Sequence, residues 1–75
     1  MPLTVDARGH RCPVPSLKLR RVLEGAAAGE RVVLLADDPL ARIDVPHLCA
    51  QLGARLLSVE EGPPGVLAFS VAARS

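Results

Sequence analysis

Aromatic side chains are almost missing from this chain: Phe69 stands alone, with no tryptophan and no tyrosine. That excludes the nucleic-acid platforms that stack bases on rings. Cysteine is nearly as scarce. Cys12 and Cys49 could make one bridge at most, too sparse a framework to staple a secreted mini-domain. No apolar run approaches the ~20 residues of a membrane helix. Residues 1–10 lack the apolar stretch of a secretory signal. A cytoplasmic protein in a reducing compartment, without membrane association, is expected. Charge of one sign is missing as well. The net charge is +1, so no global field attracts polyanions, and direct nucleic-acid binding is not expected.

What remains is an ordinary globular composition. The chain has 75 residues, 49% of them hydrophobic, enough for one domain over residues 1–75 with a thin core. There are no repeats and no low-complexity stretches. The charge is uneven along the chain. Up to Glu24, five bases (Arg8, Arg11, Lys18, Arg20, Arg21) face only Asp6 and Glu24, whereas the rest is net acidic. The first part therefore predicts a modest basic face suited to an acidic partner surface or a phosphate backbone.

Alternation over Leu3–Ala7 predicts a first strand, followed by a loop from Arg8 to Arg11 punctuated by Gly9. Pro13 and Pro15 suit the first turn of a helix, whose N–H groups lack intrahelical acceptors anyway. That helix begins around Cys12-Pro13-Val14-Pro15 and runs to about Glu24, with Leu19, Val22, Leu23 and Ala26 as its apolar stripe. Arg31–Ala36 is a continuous apolar run, as in a strand inside a parallel pairing. Asp44 is placed to cap a second helix ending before Gly53, with Val45, Leu48, Cys49 and Leu52 on one stripe. Arg55–Glu60 and Val66–Ala72 complete the pattern as strands around a Gly/Pro turn. The order βαβαββ, with right-handed crossovers, predicts a two-layer α/β sandwich: a four-stranded mixed sheet with both helices on one face. The Cys12 loop and the Asp37-Asp38 loop should then share the carboxyl edge of the parallel strands, where open α/β sheets place their sites.

Cys12 is the candidate reactive residue. A helix start offers partial positive charge and free N–H groups, here those of Val14 and Ser16. Arg8, His10 and Arg11 are close in sequence. Each favours the thiolate, the nucleophilic form. Cys49, on the apolar stripe of the second helix, reads as packing. The pairs His10/Cys12 and His47/Cys49 mimic zinc ligands. However, His47 and Cys49 lie roughly 200° apart around a helix, so no metal site is expected. Asp37 and Asp38 read either as a turn before Pro39 or as an acidic docking feature beside the thiol. Lys18 and Arg21 share an exposed helix face. Nothing in the sequence orients His10 as a base, and so short a chain has little room for an enclosed substrate cavity.

Asp6-Ala7-Arg8-Gly9 and Arg11-Cys12-Pro13-Val14-Pro15 resemble the signature of the TusA (SirA-like) sulfur carriers. Gly29-Glu30, Ala36-Asp37-Asp38-Pro39, Asp44-Val45-Pro46 and Cys49 continue the resemblance in order over about residues 3–72. It implies the same βαβαββ sandwich and a persulfide carried covalently on Cys12, with no other cofactor. It also implies a cysteine desulfurase or rhodanese-type donor and a downstream relay acceptor. The destinations it suggests are tRNA 2-thiouridine, molybdenum cofactor or sulfur oxidation. Such a chain is a sulfurtransferase in the loose sense. A non-catalytic binding or regulatory module and a thiol redox sensor stand as alternatives, and the lack of a resolving cysteine weighs against the sensor.

Overall fold

The computed structural model describes residues 3–11 and 14–74. Its elements are β1 (Leu3–Asp6), α1 (Val14–Gly25), β2 (Arg31–Ala36), α2 (Ala41–Leu52), β3 (Arg55–Glu61) and β4 (Leu67–Ala72). The strand order is β1-β2-β4-β3. β1 pairs with β2 in parallel, and β4 runs antiparallel to both β2 and β3. The expected mixed four-stranded sheet with two helices is therefore present.

Period-two alternation sorts the two faces of the sheet. Val32, Leu34 and Ala36 of β2 and Leu67, Phe69 and Val71 of β4 are buried. They join Leu19 and Leu23 of α1 and Val45, Leu48 and Cys49 of α2 in one core. Phe69 is the largest fully buried side chain, which puts the lone aromatic at the centre of a core otherwise built from aliphatic residues. On the opposite face Val33, Leu35, Ala68, Ser70 and Ala72 are only half covered.

Three expectations need correction. Asp44 does not cap α2. The helix begins one turn earlier, at Ala41, after Leu40. Asp38 initiates it instead: its Oδ1 accepts the Leu40 N–H at 2.9 Å, and its backbone carbonyl accepts the Ala41 N–H at 3.0 Å. The Asp44 N–H is already spent on the Leu40 carbonyl at 2.9 Å, so Asp44 lies inside the first turn and complements the helix dipole there. Pro46 consequently falls inside the helix, where it cannot donate to the Arg42 carbonyl. Second, β3 is not evenly alternating. The register slips between Leu56 and Ser58, which makes Leu57 the extra residue of a bulge and leaves it exposed. Third, β4 starts at Leu67 rather than Val66.

Candidate functional site

Parallel pairing of β1 and β2 sends both strands to the same edge of the sheet, and a side chain ties their following loops together. Both carboxylate oxygens of Asp37 accept the N–H of Gly9 at 3.0 Å. Gly9 holds φ at +82°, a left-handed conformation that an L side chain adopts only at a cost, so glycine is required where this loop turns. The expected meeting of the two loops is thus a specific contact. Between them lies an open cleft of about 440 Å³, lined by Gly9, His10, Arg11, Asp37, Asp38, Pro39 and Leu40.

Cys12 and Pro13 lie outside the described residues, so the expectations placed on them are not examined by the geometry. Their neighbours are described. The Arg11 carbonyl accepts the N–H of Val14 at 2.9 Å. The Val14 amide is therefore occupied rather than free for an anion, a correction to the sequence reading. Pro15 is buried in the first turn of α1, where its missing N–H costs nothing.

The basic residues divide into paired and unpaired groups. Arg8 donates to Asp6 through Nε at 2.9 Å and Nη2 at 2.8 Å, and its own backbone N–H reaches the same carboxylate at 3.1 Å. These bonds hold the Asp6 carboxyl well below the usual carboxylate range and push the Arg8 guanidinium up. Arg20 pairs with Glu24 at 3.3 Å along α1. Lys18 behaves differently. It is only half exposed, and its Nζ lies 3.3 Å from Nε2 of His10. An ammonium has no lone pair, so in this contact Lys18 is the donor and the ring nitrogen of His10 the acceptor. His10 therefore does have an orienting partner, contrary to the sequence reading. Arg11 and Arg21 are exposed, Arg21 beside exposed Leu17 on α1.

Cys49 is 3% exposed, and burial pushes its thiol above the ordinary range. His47, two residues before it, is exposed, so the two do not converge as metal ligands. Sequence reasoning missed Ser16. Its hydroxyl oxygen is buried without a hydrogen-bond partner among the described residues. The available signal was its spacing: Ser16, Leu19 and Leu23 fall on one face, the one that meets the core.

The fold and its cleft define a small open α/β sandwich that presents a loop at the sheet edge rather than enclosing a substrate. The chain belongs to the TusA family, described as sulfurtransferase TusA, whose sequence pattern matches residues 3–72. A protein of Archaeoglobus fulgidus, named as a candidate sulfur carrier, is 42% identical over 67 residues, covering 89% of this chain and 87% of its own. The crystal structure of a SirA-like protein from Desulfitobacterium hafniense superposes with a TM-score of 0.85 at 26% identity. That match covers 97% of this chain and 99% of the other.

Proposed function

We propose that this protein is a sulfur carrier that holds a sulfane sulfur as a persulfide on Cys12. Family membership supports the carrier role. The observation that selects the residue is the burial of Cys49, which leaves Cys12 as the other thiol in the chain. The proposed exchange conserves electrons. The Cys12 thiolate attacks the outer sulfur of a persulfide on a donor protein. The donor S–S bond breaks, its electron pair leaves on the donor thiolate, and the outer sulfur remains on Cys12. An acceptor thiolate reverses these steps. The donor would be a cysteine desulfurase or rhodanese-type protein. The acceptor would be a relay protein serving tRNA 2-thiouridine, molybdenum cofactor or sulfur oxidation, in the cytoplasm and without a metal. An open cleft fits meetings between proteins better than turnover of a free small molecule. A redox sensor would need a second reachable thiol, and buried Cys49 does not supply one.

The test is intact mass after incubation with a desulfurase and cysteine. The wild type should gain the mass of one sulfur atom, reversed by a thiol reductant, and Cys12→Ser should gain none. No gain in the wild type, or equal gain in the serine variant, would overturn the reading and favour a binding module of the same fold.

A further inference from the structure

Both helices pack on the side of the sheet that carries Val32, Leu34, Phe69 and Val71, so the other side has no second layer. Residues directly opposite in a ladder point the same way, and the register sorts this open side into three rows across the strands. Thr4, Val33, Ser70 and Ser58 form the middle row. At the amino ends of β2 and β3, Ala72 lies between Arg31 and Arg55. At the carboxyl ends the row runs Asp6, Leu35, Ala68, Glu60. The β3 bulge decides this arrangement. Without it, alternation from Arg55 would bring Leu57 and Val59 to the open side and turn Glu60 away.

The open face is thus basic at one end and acidic at the other. Arg31, Arg55 and Glu60 are exposed, and none of the ion pairs among the described residues includes them. Asp6 is already held by Arg8. Between the charged ends, Ser58, Ala68, Ser70 and Ala72 are small enough for another layer to approach closely, and Val33 and Leu35 add apolar surface.

Such a face is complementary to itself. Stacked sheets keep their strand directions within about 30° of each other. A two-fold axis lying across the strands along the middle row reverses strand direction. It sets Ser70 over Ser70 and brings Arg55 of each copy over Glu60 of the other. An axis along the strands would instead set the basic rows together. We propose that the open face of the sheet docks a second, antiparallel copy of this chain through reciprocal Arg55–Glu60 pairs around a centre of small residues. This goes beyond the sulfur-carrier reading and does not depend on it. The cleft between the two loops lies at the carboxyl edge, so this arrangement leaves one open cleft at each end of the pair. Strands about 4.8 Å apart and about six residues long give a face of roughly 300–400 Å² in plan. That is well under the about 800 Å² per partner of a standard interface, so the association is weak and concentration-dependent.

The experiment is sedimentation equilibrium of the full chain from low micromolar to millimolar concentration, with thermal melts to confirm that each variant is folded. The wild type should approach twice the chain mass as concentration rises. Added salt should oppose this, because exposed charge pairs are screened. Glu60→Arg and Arg55→Glu should each weaken association by roughly tenfold or more, since each sets like charges over one another. Glu60→Gln, which only removes a charge, should weaken it less. An equimolar mixture of Glu60→Arg and Arg55→Glu restores both pairs and should associate nearly as well as the wild type. A wild type that stays monomeric throughout would overturn the proposal. So would association that both charge reversals leave unchanged, or a mixture that associates no better than its components.

Discussion

Single residues carry most of the testable content of this site. Asp37 spends both carboxylate oxygens on one backbone N–H of the opposite loop, so Asp37→Ala should free Gly9 and let the Cys12 loop drift. The expected outcome is a several-fold slower sulfur loading with a stability loss of about 1–2 kcal/mol, measured by denaturant unfolding. An unchanged loading rate would show that the tie serves stability alone. Cys49→Ala should retain loading and lose about 1 kcal/mol, because a small buried side chain is trimmed. Its pH dependence has a definite sign. Burial raises the folded-state pKa above that of the unfolded chain, so the thiol favours folding below the ordinary thiol range. That advantage is lost as pH rises toward the folded-state value. The stability gap between wild type and Cys49→Ala should therefore narrow in alkali. Cys49 was legible from context, since it stood on an apolar stripe, whereas the reading of Cys12 lies outside the described residues. The His10–Lys18 contact was not legible. It joins residues eight apart through a loop whose path depends on where β2 sits, and no local spacing encodes that.

Among the elements, α2 shows how a sound local signal can be outweighed. Asp44 followed by Val45 and Pro46 has the chemistry of a helix start, yet a better one lies upstream. Asp38 accepts from the Leu40 amide, and tightened i→i−3 bonds at Ala41, Arg42 and Ile43 carry the first turn past Asp44. Burial of Ala41 against the core supplies the reason to extend. Asp38→Ala should accordingly destabilise the fold by about 1 kcal/mol, more than Asp44→Ala, in thermal melts of the two variants. Equal losses would contradict this start of the helix. Pro46→Ala should restore the missing donor to Arg42 and raise the melting temperature, since proline inside a helix costs about 3 kcal/mol and its benefit through the unfolded chain is at most about 1 kcal/mol. The strands were easier to read. β2 and β4 have continuous or alternating apolar patterns that a buried sheet demands, whereas the β3 bulge left no mark in the sequence because Leu56 and Leu57 are both apolar.

At the level of the whole molecule, the charge asymmetry seen along the chain becomes narrower in space. Arg8 and Arg20 are paired with carboxylates, so among the described residues up to Glu24 the bases outside ion pairs are Arg11, which lines the cleft, and Lys18 and Arg21 on α1. Arg21 lines a shallow depression with exposed Leu17 and Lys18, and is suited to meeting an acidic partner. Arg21→Glu should slow sulfur transfer from a protein donor and leave alkylation of Cys12 by a small neutral reagent unchanged. Added salt should slow the wild type more than the variant, because exposed charges are screened over about 8 Å at physiological ionic strength. Rates indifferent to both would place recognition on Leu17 and its apolar surroundings.

The strand order has a consequence for how this protein is born. β4 is made last but lies between β2 and β3, and it brings Phe69 to the core. A nascent chain that has emerged only as far as β3 has both helices and three strands, but neither the strand that joins them nor the side chain that fills the centre. The sheet cannot grow in the order in which the ribosome delivers it. β1 and β2 can pair beforehand, but β3 has no partner strand and the core lacks its centre until residue 72 has cleared the exit tunnel.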